Sequence, residues 1–370
     1  MTSVTDLREM VEVIIGVDTH VYKHVAAAVD ARTGAHLDTM TVSADADGYA
    51  KVLAFADRHS PARFFAIEGT GIHGAGLTRF LMDEQRGEIV VELDRPERAK
   101  RRHGAKTDEI DAVRAAREAL ARPRLGTPRC GADRDALSTL LSVRRSAVDG
   151  AADGARQLFN LSIAAPDMLR ERLHVQTDTT QIVSRAAKLR VGQGWDPQTA
   201  TIARALRELA KRVQTLRAEA DDLEKQIKQI VAAWRPDLLD VFGVGPITAA
   251  VVLCAWSHPG RIDSREAFAM LAGAAPIPAN SGQTTTRYRL NRSGDRQLNR
   301  ALHTIAVCRM RYDDDTRRYV ERRASKEGGN KTRPEIRRCL KTYIARELFT
   351  LLENPKHSTQ THPETPAQAA

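Results

Sequence analysis

Three runs rich in β-branched and small apolar residues, "EVIIGVD" (12–18), "HVAAAVD" (24–30) and "HLDTMTVSA" (36–44), follow one another with only short polar turns between them. Connections of that length leave neighbouring runs little choice but to pair antiparallel. The order then changes. A helix-type stretch, "DADGYAKVLAFADRH", precedes the strand "ARFFAIEG"; a second, "GAGLTRFLMDEQ", precedes the strand "GEIVVELD". A meander followed by alternating helices and strands predicts a mixed sheet with helices packed on it.

Among α/β folds, that order matches the ribonuclease H-like one. Residues 131–190 read as helical with two breaks, at "AAPDM" and "QTDTT". Beyond them Ile202, Leu206, Leu209, Val213, Leu216, Ala220, Leu223, Ile227, Ile230 and Trp234 recur at alternating steps of four and three. Such a heptad seam is compatible with a buried bundle helix. Its regularity favours a coiled-coil arm pairing with another helix, of the same chain or of a second subunit. Pro236 ends it. The expected fold is therefore α/β plus α, divided into a sheet domain (10–125), a helical linker and coiled-coil arm (130–234), a mainly helical domain (236–350) and a polar, Pro-rich tail (354–370) expected to be disordered.

With 42% hydrophobic and 28% charged residues the chain reads as a soluble globular protein. No apolar run approaches the roughly 20 residues of a membrane span, and the start lacks a signal-peptide pattern. Cys130, Cys254, Cys308 and Cys339 form no CxxC pair, which points to a reducing compartment, the cytoplasm. Charge is less ordinary. Between Arg287 and Arg346 stand 18 Lys and Arg against 7 Asp and Glu, a surplus as large as the whole chain's +10. A surplus so concentrated points to a polyanion, nucleic acid first.

The acidic residues carry the chemistry. Asp18 closes the strand "IIGVD" and Glu68 closes "FFAIE", with Gly69 and Gly71 opening space beside it. Carboxylates at the ends of adjacent strands can converge. Asp108 and Asp111, in "KTDEIDA", lie three apart on one helix face, with Cβ atoms about 5–6 Å apart. Their ordinary role is to favour a helix start, with Thr107 as N-cap. If that helix crosses the sheet, however, four carboxylates meet in one pocket. Such a group needs cations, and hard oxygen donors suit Mg²⁺ or Mn²⁺. Two ions about 3.5–4 Å apart would clamp the attacking and leaving oxygens of a phosphodiester.

"IIGVDTHVYKHVAAAVD", "AIEGTG" and "AKTDEIDA" resemble the N-terminal domain of the DEDD transposases of bridge-RNA-associated insertion sequences, relatives of the Piv-type DNA invertases. "VFGVGPITAAVVL" through "NRSGDRQLNRALHTIA" resembles that family's second domain, so the likeness spans roughly residues 12 to 312. It implies a RuvC-like domain whose metal-binding carboxylates are Asp18, Glu68, Asp108 and Asp111. It also implies a nucleophilic serine, at Ser281 in "PANSGQT", which forms a phosphoserine link to DNA while the acidic domain of another subunit assists. Ser293, in "NRSGDRQ", stands where the family more often has a basic residue, and reads as a phosphate contact. Two departures, "EGTGIHGAG" after the glutamate and "QTTTRYRLNR" after the serine, leave those groups untouched.

Phosphate contacts are expected at several places. "LLDVFGVGPITAAVVL" has helix-hairpin-helix spacing, with Gly243 and Gly245 offering backbone N–H groups; its plainer reading is a tight turn between core helices. Arg287, Arg289, Arg292, Arg296 and Arg300 follow Ser281 closely, and Tyr288 could stack on a base. Arg98, Lys100, Arg101, Arg102 and Lys106 precede Asp108 and would guide nucleic acid inward. The resulting expectation is an oligomeric (dimeric or tetrameric) transposase or recombinase acting on donor and target DNA, with a guide RNA choosing sequence and no membrane partner. A RuvC-like nuclease resolving junctions with water is the alternative enzyme. A catalytically silent nucleic-acid-binding protein is the alternative of another class.

Overall fold

The computed structural model describes residues 9–93, 107–122, 124–278, 288–289, 291, 293–327 and 329–355. The chain divides into two compact units, with the boundary between Cys130 and Gly131.

In the first unit five strands form one sheet: β1 (Val13–Thr19), β2 (Lys23–Asp30), β3 (His36–Ser43), β4 (Arg63–Glu68) and β5 (Val90–Leu93), in the order β3-β2-β1-β4-β5. β1 and β2 are antiparallel, as are β2 and β3, whereas β4 runs parallel to β1 and β5 parallel to β4. Helices α1 (Ala46–His59) and α2 (Ala75–Met82) make the connections into β4 and β5. This is the mixed sheet the sequence predicts, with strand ends within a few residues of those expected.

The sheet is covered on both faces, which explains why "VIIGV" reads as an unbroken apolar run. Side chains alternate along a strand. Val13, Ile15, Val17, Phe65 and Ile67 therefore share one core with Val52, Phe55, Leu77 and Leu81 of α1 and α2. Ile14, Phe64 and Ala66 face the other way, onto Ala115, Ala116 and Ala119 of α3 (Asp108–Ala121). Thr107 caps α3 as expected, its side chain accepting from the backbone N–H of Ile110.

α3 buries alanines alone, and beneath it β1 carries Gly16. A Cβ at Gly16 would lie 2.1 Å from the carbonyl oxygen of Ala112 and 2.6 Å from the amide nitrogen of Ala116. Helix and strand thus meet backbone to backbone, leaving no room for even a methyl group.

The second unit is helical: α4 (Ala132–Ile163), α5 (Asp167–Leu173), α6 (Thr179–Ala187), α7 (Pro197–Trp234), α8 (Pro246–Trp256), α9 (Arg265–Leu271), α10 (Arg296–Tyr312), α11 (Asp314–Ala324) and α12 (Arg333–Glu353). The breaks at 164–166 and 174–178 fall at the two predicted places. α7 starts at Asp196, whose carboxylate accepts from the Thr199 N–H, with Pro197 in the first turn. None of its ten seam residues is exposed. They pack along α4 of the same unit, where a Cβ at Gly154 would come within 2.8 Å of Val213 and one at Gly150 within 3.3 Å of Leu216. One end of α7 joins a core with α4, α5 and α6, around Leu158, Leu169, Ile182 and Leu206. Its other end enters a core with α8, α9, α10 and α12, around Ile227, Val231, Leu253, Phe268, Leu302 and Ile344.

One element was not foreseen. Ile277–Pro278 (β6) and Tyr288–Arg289 (β7) pair antiparallel, drawing together the described ends of the segment that contains Ser281. Among the described residues no helix is long and apolar enough to cross a membrane. Of the predicted disordered tail, only Asn354 and Pro355 lie among the described residues.

Gly16→Ala is expected to lose about 2 kcal/mol or more, because the clash is with backbone that cannot rotate away. Gly71→Ala, with nothing within 4 Å of the added atom, is expected to be near neutral. Chemical denaturation of the two variants beside the parent checks both.

Candidate functional site: an acidic cluster at the sheet edge

β1 and β4 run parallel with Val17 opposite Ile67, so Asp18 and Glu68 end neighbouring strands at the same level. Both follow the alternation of Ile14, Gly16, Phe64 and Ala66, the side of the sheet that α3 covers. The hydroxyl of Thr19 donates to the Glu68 carbonyl at 2.9 Å and fixes the two strand ends together. Ligand sites in open α/β sheets commonly lie beyond such carboxyl ends.

The contact at Gly16 lays α3 over this edge. One turn before Ala112, Asp108 comes onto Asp18. His20 Nε2 lies 3.1 Å from Asp18 Oδ2 and 3.4 Å from Asp108 Oδ1, and Lys23 Nζ lies 2.7 Å from Asp108 Oδ2. Ligand atoms of Asp18, His20 and Asp108 all fall within 4.8 Å of one another. Asp111 is close enough for its charge to act on Asp18 and is held by Arg114, whose Nη1 donates to its Oδ1 at 2.7 Å. Neither Glu68 nor Asp111 belongs to the three-residue cluster.

The electrostatics follow from this crowding. Burial is the largest influence on Asp18 and pushes its carboxyl above the usual range; His20 opposes it, while Asp111 and Asp108 push further up. Asp108 moves the opposite way, held below the usual range chiefly by the hydrogen bond from Lys23, whose ammonium is raised in return. Two carboxylates at one edge thus differ because one is desolvated and the other carries its own cation. Behind the cluster His24 is completely buried and stacked on Tyr49 at 5.8 Å, and burial pushes its imidazole down, towards the neutral form.

His20 and Lys23 are the functional candidates that sequence reading missed. Both sit on the β1–β2 hairpin, where the His20 N–H donates to the Lys23 carbonyl at 3.1 Å. The available signal was "DTH": residues two apart at a strand end share a face. Glu92 was also passed over. It is buried on β5 and accepts from Thr70 at 2.5 Å, which fastens the turn that follows Glu68. In that turn Gly69 has φ +72°, so it serves backbone conformation, while Gly71 does face open space.

Asp18 and Asp108 offer carboxylate oxygens of the kind a hard divalent cation takes, and His20 places an imidazole beside them. The Lys23 ammonium already lies on Asp108, in the negative field that a metal would neutralise, and that is the observation in favour of a metal here. A cation bound here would be held by Asp18 and Asp108, with Asp111 adding charge.

In the second unit Gly243 has φ +84°, and Gly245 caps α8, its N–H donating to Thr248 Oγ1 at 2.9 Å. That N–H is already used. Arg309 donates to the Phe242 carbonyl at 2.9 Å and to Glu347, and the adjoining cavity is lined by Asp237, Asp240, Asp313 and Glu347. Arg289, Arg296 and Arg300 are exposed, with no ion-pair partner among the described residues. Ser293 donates to Asn291 Oδ1 from both its N–H and its hydroxyl. Ser281, Arg98, Lys100, Arg101, Arg102, Lys106, Arg287, Arg292 and the Tyr288 side chain lie outside the described residues.

Because burial opposes its charge, Asp18→Asn is expected to raise the unfolding temperature at neutral pH in the presence of a chelator. Differential scanning calorimetry checks this; an unchanged or lower midpoint would count against a desolvated Asp18.

Comparison with known proteins places this geometry. A DEDD transposase profile of the IS110 type matches residues 15–161, which contain Asp18, Glu68, Asp108 and Asp111. A second, described as the transposase IS116/IS110/IS902 family, matches residues 236–321, which contain Gly243, Gly245 and Ser281. The chain is 28% identical over 224 residues to the insertion element IS900 uncharacterized 42 kDa protein of Mycobacterium paratuberculosis, covering 59% of this chain and 53% of that one. It is 30% identical over 132 residues to the insertion element IS110 uncharacterized 43.6 kDa protein of Streptomyces coelicolor, covering 35% of this chain and 33% of the relative. The aligned stretches thus span about half and a third of those relatives. Two profiles of one family, in order and together matching well over half of the sequence, agree with the sheet and its acidic edge: this chain belongs to the IS110-type DEDD transposases.

Proposed function

We propose that the chain cuts and joins DNA strands as the transposase of an insertion sequence, by phosphoryl transfer at the acidic edge and at Ser281. The observation that carries this reading is the meeting of Asp18 and Asp108, 90 positions apart in sequence, at the carboxyl edge of a mixed sheet in a DEDD family. Side chains that far apart are brought together by a fold built for it, since a strand end and a helix start have no local reason to meet.

In this reading Asp18, Glu68, Asp108 and Asp111 form the metal-holding group, with Mg²⁺ or Mn²⁺ as the cation. When bound, the cation would neutralise the carboxylates and withdraw charge from a phosphate oxygen. Lys23 balances the charge of Asp108 until then, and both Lys23 and His20 are exposed enough to turn towards a phosphate. Ser281 is the nucleophile. Its Oγ–phosphorus bond forms as one ester bond of the strand breaks, the hydroxyl proton passing to the leaving oxygen. Attack by another strand's hydroxyl reverses the exchange, so nothing is consumed.

Arg101, Arg102, Lys106, Gly243, Arg287, Arg289, Arg292, Arg296 and Arg300 are proposed to hold nucleic-acid backbone, while Gly245, whose N–H is taken by Thr248, shapes the turn. With no base-reading motif in the sequence, sequence choice is assigned to a bridge RNA. The assembly is proposed to be a homo-oligomer, a dimer or tetramer, working in the cytoplasm. The working division of the chain is the catalytic sheet domain 10–125, the arm 130–234 and the serine-bearing domain 236–350.

The test is a denaturing gel of the protein with labelled donor DNA, co-expressed RNA and Mg²⁺. A protein-linked DNA band is expected, absent in both Ser281→Ala and Asp111→Ala. Free cleaved DNA surviving Ser281→Ala but not Asp111→Ala would point to a water-using nuclease. Binding without any cleavage would point to a silent nucleic-acid-binding protein. A separate expectation needs no DNA: Lys23→Gln removes a competing cation from Asp108 and should tighten Mn²⁺ binding measured by titration calorimetry.

A further inference from the structure

α10 and α12 each hold one arginine in an ion pair between helices. Arg309 meets Glu347 at 2.7 Å and Arg346 meets Glu266 at 3.6 Å, while α11 between them pairs Arg317 with Asp314 and Arg318 with Asp315. A second group of cations is not paired in this way. Arg296, Arg300 and His303 recur at steps of four and three along α10, one face of that helix. Arg337 and Lys341, four apart, come from α12. The fields of Arg337 and Lys341 reach His303, and those of Arg337 and Arg338 reach Lys341. Among the described residues, Arg296, Arg300, Arg337 and Lys341 have no carboxylate within ion-pair distance. The nearest acid along α12, Glu335, is taken by the N–H and hydroxyl of Thr332 and acts on Arg338.

Lys341 is the least expected member. It is partly buried, and its ammonium donates to a neutral acceptor, Asn299 Oδ1, at 2.8 Å. Burial and two arginines push its pKa down. A desolvated ammonium among guanidinium groups is unfavourable unless an anion completes the site. The site is also held firmly in place: Asn299 Nδ2 donates to the Ala272 carbonyl at 2.7 Å, and Thr342 Oγ1 donates to the Ala274 carbonyl at 2.8 Å. Cations fixed by their neighbours' hydrogen bonds are a preorganised anion site.

We propose that Lys341, Arg337 and His303, continued by Arg300 and Arg296, form a phosphate-binding site for a DNA backbone, beside the Ala272–Ala274 turn that leads to the segment containing Ser281. The strip from Arg296 to His303 covers two helical turns, about 10 Å. That is longer than a single phosphate and suits consecutive phosphates of a strand. Arg337 and Lys341 lie beyond both stretches matched by the family profiles. The proposal rests on the transposase reading only for the identity of the polyanion.

The test is fluorescence anisotropy with the full chain and a short labelled duplex of arbitrary sequence, over a series of salt concentrations. Lys341→Gln and Arg337→Gln are each expected to weaken binding and to lower the slope of log K against log[salt] by about one. Arg317→Gln, which removes a charge already paired with Asp314, should leave the slope unchanged. Thermal unfolding without DNA accompanies each variant, and Lys341→Gln is expected to match or exceed the parent because it relieves repulsion. Should it unfold early instead, exposed Arg300→Gln combined with Arg337→Gln decides the matter by the same slope. Variants that bind like the parent would overturn the site while leaving the transposase reading intact. A parent that binds no DNA would overturn both. Slopes lowered on single-stranded RNA but not on duplex DNA would overturn the assignment to DNA.

Discussion

Everything at the acidic edge depends on the absence of one side chain. Gly16 lets α3 rest on β1 with backbone against backbone, and a helix seated that closely has little freedom to slide or tilt. The alanines at 112, 115, 116 and 119 continue the same requirement on the helix side. Because α3 is fixed there, its first turn reaches past the end of β1, and Asp108 arrives beside Asp18. The distances among Asp18, His20 and Asp108 are thus inherited from packing a turn further on.

Much of this was legible in the sequence. The three β-branched runs and the two helix–strand alternations carry their periods openly, and Asp18 and Glu68 are visible as acids that close apolar strands, although Asp30 closes one too and only caps a turn. Asp108 was ambiguous, since Thr107 caps α3 and an acidic first turn explains itself. The structure puts Asp108 in the capped first turn and, from there, beside Asp18 and His20. His20 and Lys23 were not visible as site residues. A hairpin reads as polar connection, and only the placement of α3 shows that its imidazole and its ammonium face a carboxylate. The pairing of β6 with β7 escaped for a different reason: two residues are too few to show an alternation.

Charge was legible in bulk but not in detail. The basic surplus between Arg287 and Arg346 is plain in the sequence, yet it contains two populations. Some arginines are consumed by carboxylates one turn away or on the next helix. Others, around Lys341, are left facing one another. Sorting them needs three-dimensional neighbours, because His303 and Arg337 are separated by a whole helix. The same tension marks both regions. Asp18 among acids and Lys341 among bases each carry a charge that burial and like-charged neighbours oppose. Sites of this kind concentrate at functional positions.

α7 runs unbroken for 38 residues, about 57 Å at the rise of an α-helix. One of its ends is built into the core around Leu206 and the other into the core around Ile227 and Val231. Such a rod is a lever. A tilt of roughly 5° at one core, multiplied by the roughly 35 Å that separates it from the other, sweeps the second through about 3 Å, so a small rotation becomes a displacement on the scale of a side chain. The two cores therefore share a mechanical fate, and load applied at one is felt at the other without any intervening chemistry.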